Sequence, residues 1–202
     1  MKKIIILLSV LLTAAGASAQ KMTVEEGNFK FLKDAKAVNV VFRYDDLKLL
    51  KENKTEQQYV EERTAELNAK NAGTGDTWAQ KWEGAKESIW EANFLDLLAK
   101  TVTASKGTVF GQNKNDAPYT LTVDATWLYP GWDAGFMKQP AKVTTALIFT
   151  ETANPSNVLL KIKSENAPGD QWGSNFSNES RIGEGFEKTA KTLGNRILKE
   201  AY

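Results

Sequence analysis

Neither cysteine nor histidine occurs among the 202 residues. Without cysteine no disulfide can staple the fold, so stability has to come from packing. A lipid-anchored precursor would need a cysteine after its first apolar run, and there is none. The missing histidine removes the usual general base near neutral pH, the Ser-His-Asp and Cys-His arrangements, and the commonest transition-metal ligand. Chemistry would have to run on carboxylates, Lys, Tyr, Ser or Thr, and any metal would be a hard ion held by oxygens. No cofactor and no metal site are expected. An excess of one charge is also lacking, since 26 basic residues face 25 acidic ones. Nothing electrostatic therefore points to nucleic acid or an anionic membrane as partner.

The one extended apolar run lies at the start. Lys2 and Lys3 precede Ile4 to Leu12, and Ala17-Ser18-Ala19 offers small residues of the A-x-A kind, the layout of a cleavable export signal over 1–19. That run is too short against the ~20 residues that cross a bilayer. Cleavage after Ala19 leaves Gln20 as the new N-terminus and turns the net charge from +1 to −1. Residues 20–202 are then of a length suited to one domain with a sizeable core and no membrane span.

After a polar lead-in, Val38, Val40 and Phe42 alternate with Asn39, Val41 and Arg43, which predicts a first strand from Ala37 to Tyr44. Thr55-Glu56-Gln57-Gln58 has the form of a capping box that opens a helix to about Ala69, with a thin apolar face of Tyr59, Val60, Arg63 and Leu67. Thr77-Trp78-Ala79-Gln80 offers a second box for a helix ending near Lys100. Its stripe of Trp78, Trp82, Ala85 and Ile89 continues through Trp90, Phe94, Leu97 and Leu98. Tryptophans at i, i+4 spacing read as core rather than as a ligand platform. A short strand is expected at Thr108 to Phe110 and a clean alternating one from Tyr119 to Thr126. An antiparallel hairpin follows over about 141–164, with its turn at Asn154-Pro155-Ser156-Asn157. Ala167 to Asn178 reads as loop, and Ile182, Phe186, Ala190, Leu193 and Ile197 mark a closing helix from about Arg181 to Glu200. The fold class that accommodates this order is α+β, or mixed α/β: one mainly antiparallel sheet with about three helices packed on it.

Phosphate-binding loops are absent, because no G-x-x-x-x-G-K-[ST] occurs and Gly183-Glu184-Gly185 has no strand before it. Asp45-Asp46 follows the first strand, yet adjacent side chains diverge on an extended chain. Hydrolysis by a carboxylate pair would draw on Asp45, Asp46, Glu91, Asp96, Asp124 and Asp133, which spacing alone cannot pair. The most distinctive stretch is Trp127-Leu128-Tyr129-Pro130-Gly131-Trp132-Asp133. A second loop, Asp170 to Phe176, repeats its mixture of aromatics with small and amide residues. Flat rings cover apolar C–H surface while acids and amides bond hydroxyls or backbone, the equipment of a sugar- or peptide-binding surface. Trp127, Tyr129, Trp132, Asp133, Trp172 and Asn175 are therefore the candidate ligand-binding residues. The competing reading packs the same rings under their own loops as core.

The strand VNVVFRY, the W-x-x-x-W helix, the strand entering L-Y-P-G-W, the long hairpin and the closing F-E-K-T-A-K-T-L-G-N-R-I together resemble a group of uncharacterised exported proteins of Gram-negative bacteria. Their layout is similar to the small α/β domain of the TolB N-terminal region and of the curli-assembly lipoprotein. The chain departs from the latter in lacking the lipidated cysteine and a membrane-spanning hairpin. The resemblance implies a periplasmic or secreted interaction module of the cell envelope, non-catalytic, whose partner is an envelope protein or a small ligand such as a glycan. Two alternatives stand beside it: a carboxylate-dependent hydrolase of envelope glycan or peptide, and a structural subunit of an envelope oligomer. Intact-mass measurement of the exported product should give a chain that begins at Gln20; retention of residues 1–19 would refute the signal.

Overall fold

The computed structural model describes residues 20–134, 137–169 and 177–202. The export signal, Trp172 and Asn175 lie outside the described residues. Within those residues, ten strands form one main sheet and a two-stranded ribbon: β1 (Lys21–Gly27), β2 (Ala37–Arg43), β3 (Lys48–Leu49), β4 (Lys54–Thr55), β5 (Val109–Gly111), β6 (Tyr119–Tyr129), β7 (Trp132–Asp133), β8 (Lys138–Gln139), β9 (Ala141–Glu151) and β10 (Asn154–Gly169). The sheet runs β1-β10-β9-β6-β2-β5, with β3 and β4 beside β6; β7 and β8 make the ribbon. The long pairs β1·β10, β10·β9 and β9·β6 are antiparallel, whereas β2 lies parallel to both β5 and β6. This is the expected mixed α+β class.

Among the described residues, three long helical bodies and a short 3-10 turn at Phe29–Leu32 accompany the sheet. The first is α1 (Glu56–Lys70), with the capping box in place: the Gln58 amide donates to Thr55 Oγ1 at 3.2 Å and the Thr55 amide to Gln58 Oε1 at 3.0 Å. The second runs unbroken over 74–106 as α2 (Thr74–Ala85), a π turn (Lys86–Glu91), α3 (Ala92–Leu98), a second π turn (Ala99–Thr103) and α4 (Ala104–Lys106). The third is α5 (Asn178–Glu200), whose start is capped by Ser177 Oγ accepting from the Ser180 amide.

The alternation read from the sequence sets the core face. Leu121, Val123 and Ala125 of β6 lie opposite Phe149, Leu147 and Thr145 of β9, and all six side chains are buried. A register shift between Ala125 and Trp127 then carries Leu128 to the core face and turns Trp127 and Tyr129 away from it. Ile182, Phe186, Ala190, Leu193 and Ile197 of α5 fill the core from above. Gly169 admits no side chain, because a Cβ there would stand 1.8 Å from the Arg181 carbonyl oxygen where β10 meets α5.

Trp82 and Trp90 are core, as their spacing predicts. The Trp90 ring stacks on Phe186 with centroids 5.9 Å apart and planes 8° from parallel, meets Trp82 edge-on at 5.2 Å, and donates its indole N–H to the Glu179 carbonyl at 2.9 Å. The stripe steps five residues from Ala85 to Trp90, and the π turn between them absorbs the extra residue.

Several boundaries differ from the sequence reading, each for a local reason. The polar lead-in is an edge strand, β1, whose Met22 and Val24 alternate among charges because its outer edge meets no further strand among the described residues. It is tied at its start by Gln20, which donates to Ser164 and accepts from Thr192. The helix expected at Thr77 begins at Thr74 behind Gly73, whose φ of +81° supplies the turn, and the Thr77 hydroxyl bonds the Gly73 carbonyl instead of capping. The β9–β10 turn falls at Thr152-Ala153, and Pro155-Ser156-Asn157 occupy an irregular stretch of β10. Ala167 to Gly169, expected as loop, extend β10, with Ala167 and Gly169 buried under α5 and Pro168 half-buried.

Replacing Trp90 by Ala should lower the unfolding free energy by about 3–5 kcal/mol, since it opens a cavity and orphans the Glu179 carbonyl. Urea denaturation checks this, and a loss under ~1 kcal/mol would contradict the central role of this ring.

Candidate functional site

β10 runs antiparallel to β9, and β9 to β6, so β10, β6 and β2 all finish at the same end of the sheet. Tyr44, the Gly131-Trp132 bend and the start of α5 follow these three ends. Crevices at strand carboxyl ends are where sheets flanked by helices commonly take ligands.

The bend at Gly131 can be made by glycine alone. Its φ is +69°, and a Cβ would lie within 2.6 Å of the Gln139 oxygen and the Ala141 nitrogen. From this bend Trp132 enters the ribbon directly opposite Gln139. Gln139 Oε1 accepts from Trp132 Nε1 at 3.2 Å and from the Tyr129 hydroxyl at 2.9 Å. The Trp132 ring is therefore held in one orientation although 41% of its surface is exposed. Beneath the bend, Arg181 is 1% exposed; its Nε donates to the Pro130 carbonyl at 3.2 Å, and its Nη2 to the Gly131 carbonyl at 3.4 Å and to Asn178 Oδ1. A buried guanidinium thus fixes both the bend and the start of α5.

Trp132, Gly131 and Leu50 form one wall of a cleft of about 500 Å³, with Tyr59, Glu62, Arg63 and Glu66 of α1 opposite and Asn178 at the floor. Tyr59 is buried beneath Trp78 and Trp82. Burial, opposed by Arg63 and by a hydrogen bond with Asn178, pushes its hydroxyl up to about 12. On the other side of Arg63 a second cleft, about 690 Å³, lies between α1, α2 and the start of α5.

The candidate residues are distributed as follows. Trp127 and Tyr129 stack with planes 13° apart and centroids at 6.4 Å. Trp127 is half-buried, its indole donating to the Leu50 carbonyl at 2.8 Å, so the pair supports the cleft rather than lining it. Trp132 lines the cleft, and Asp133 is half-buried beside it in the ribbon. Arg63, Asn178, Glu179 and Arg181 escaped the sequence reading. The signal for Arg63 was a cation four residues after Tyr59 on the apolar face of α1; that for Arg181 was a cation leading the apolar stripe of α5.

Among the carboxylates weighed for hydrolysis, Asp45 and Asp46 lie within electrostatic reach of Asp124 where β2 ends beside β6, while Glu91 and Asp96 stand on the long helix and Asp133 in the ribbon. Asp96 pairs with Lys100 on the exposed side of α3. Burial raises Asp124 above the ordinary carboxylate range, opposed by Arg43 and reinforced by Asp46 and Asp45. Glu91 shares a cleft of about 610 Å³ with Tyr44, Lys86, Glu87 and Gln112 on the first π turn. Its two oxygens accept from the Tyr44 hydroxyl at 3.3 Å and from Gln112 Nε2 at 2.7 Å. Burial raises Glu91, and burial with the facing Glu91 raises Tyr44. These two bonds hold the Glu91 carboxylate in one orientation.

Neither a protein-family model nor a curated protein matches the sequence. Among solved structures, the PelC dodecamer of Paraburkholderia phytofirmans is 10% identical, with 87% of this chain and 97% of that chain covered and a TM-score of 0.41. A single-residue variant of that dodecamer, solved in another crystal form, is 12% identical, with 87% and 95% covered and a TM-score of 0.36. Likeness at that level assigns neither family nor role. Among the described residues, no helix is long and apolar enough to cross a membrane.

Tyr59 makes the α1 wall of the site sensitive to alkali. The unfolded chain loses this proton near its ordinary value of 10.0, whereas the folded chain keeps it to about 12. Its contribution to stability is full below pH 10 and is lost as pH rises through 12, by on the order of 2–3 kcal/mol. Urea midpoints measured from about pH 9 to 12 should fall more steeply for the native chain than for Tyr59→Phe; parallel slopes would contradict the shift.

Proposed function

We propose that this chain is a non-catalytic interaction module of the cell envelope, periplasmic or secreted, that takes its ligand in the cleft walled by Trp132, Tyr59, Arg63 and Asn178. The observation that carries the reading is an exposed indole locked by Gln139 on the rim of that cleft. A ring held in its contact orientation loses little freedom on binding, which is how aromatic anchors contribute strongly for their area. Asn178, Glu62 and Glu66 supply hydrogen-bonding groups and Arg63 a cation, so the cleft combines one apolar plate with polar groups of both kinds. The export signal and the resemblance to small envelope domains support the compartment. They leave the partner as an envelope protein or a small ligand such as a glycan.

The hydrolase alternative needs two of Asp45, Asp46, Glu91, Asp96, Asp124 and Asp133 to converge on one cleft; Asp45 and Asp46 lie within electrostatic reach of Asp124, whereas Glu91 is held by Tyr44 and Gln112.

Soluble peptidoglycan fragments and short envelope glycans titrated against the mature chain should quench its tryptophan emission. Trp132→Ala should weaken that binding at least tenfold, a loss of ~1.4 kcal/mol or more, with the melting temperature nearly unchanged. Equal affinity in the variant, or no response to any probe, would refute the site.

A further inference from the structure

We propose that the cleft beyond Arg63, between α1, α2 and the start of α5, is a subsite for a neutral, hydroxyl-rich sugar ring, with Glu179 and Arg63 as its polar contacts and Trp78 as its apolar wall. The inference rests on the proposed binding role and gives it a ligand class.

Two unmet groups in the wall carry the argument. Glu179 is 8% exposed. Its Oε2 accepts from the Ser177 hydroxyl at 2.6 Å, while Oε1 is buried without a hydrogen-bond partner. Arg63 pairs through Nη1 with Glu66 at 2.6 Å, while its Nε is buried without one. Both residues line this cleft, and no ion pair joins them among the described residues. Both atoms are closed to solvent as the side chains stand, so a ligand meets them by turning Glu179 and Arg63 toward the cleft, and that contact removes the desolvation cost of leaving them open.

The charge around the pair narrows the ligand. An ammonium would suit Glu179 but would face Arg63 and Lys81. A carboxylate or phosphate would suit Arg63 but would face Glu179. A ligand that donates and accepts within one short span without net charge meets both, and vicinal hydroxyls do this. The rest of the wall agrees. Trp78 is half-buried and fixed at 5.9 Å from Tyr59 and 5.5 Å from Trp82, with Leu67 alongside, so it offers a static plate for a C–H face. Thr74, Thr77 and Ser177 set hydroxyls around the mouth. About 690 Å³ is within the range of small-ligand sites. Because Arg63 lines both clefts, a chain of sugar units could extend from this subsite to Trp132.

The test is calorimetric titration of the mature chain with maltotetraose, cellotetraose and chitotetraose, against a galacturonate tetramer, a glucosamine tetramer and tetraglycine. At least one neutral tetrasaccharide should bind, with the charged sugars and the peptide at least tenfold weaker. Glu179→Gln should weaken that binding at least tenfold, and Thr77→Trp, which fills the cleft from its exposed rim, should abolish it. Should Glu179→Gln unfold, Thr77→Trp decides alone. The subsite is overturned if no neutral sugar binds, if a charged sugar or tetraglycine binds as well or better, or if binding survives Thr77→Trp. Binding lost in Trp132→Ala but untouched by Glu179→Gln and Thr77→Trp overturns this subsite and leaves the Trp132 cleft standing. The reverse pattern overturns the Trp132 cleft alone.

Discussion

Trp90 is the joint on which the arrangement depends. Its ring lies flat on Phe186 of α5 and edge-on to Trp82, and its N–H holds the Glu179 carbonyl. One side chain thereby sets the start of α5 against the long helix over 74–106. Both clefts open at that junction, so the positions of Asn178 and Glu179 follow from the aromatic packing below them. The buried guanidinium of Arg181 repeats the logic one layer higher, tying the same helix start to the carbonyls of Pro130 and Gly131. Apolar packing sets the distance between the elements, and directional bonds then set the angle of the groups presented to solvent.

The two clefts share Arg63 and differ in what surrounds it. On one side it faces the fixed Trp132 plate and the carboxylates of Glu62 and Glu66; on the other it faces the buried Glu179 and a ring of hydroxyls. Segments far apart in the chain supply these walls, namely residues 50, 59–67, 72–81, 131–132 and 177–179. A site assembled from five such segments depends on tertiary structure, and its side chains come into range only when the sheet and the long helices are in place.

That dispersion explains what was legible in the sequence. Alternation in β2, β6 and β9 and the three-and-four spacing of α5 identified the core, because one face of each is apolar and the other is not. The capping box at Thr55 fixed the start of α1, since it needs only four consecutive residues. Gly73 overrode the similar pattern at Thr77: α1 ends at Lys70 with Asn71 extended, and the positive φ of Gly73 turns the chain straight into the next helix at Thr74. Edge strand β1 was hidden by its charges, and the end of β10 by its Pro and Gly, both of which become strand only through their neighbours. Of the site, Trp132 was visible as an aromatic in a glycine-containing bend. Arg63, Asn178, Glu179 and Arg181 were not, because each acts through a partner distant in the chain, and single-sequence periodicity reads only what lies within a turn or two.

The edge strand has a consequence for the order of events. β1 precedes the other described strands in the chain, yet among the described residues its strand partner is β10, and Gln20 at its start bonds Ser164 and Thr192, more than a hundred residues later. An early segment is thus among the last that can be placed, and closing so long a loop is slow relative to forming local helices. Until then the nascent chain has an incomplete sheet and no finished core.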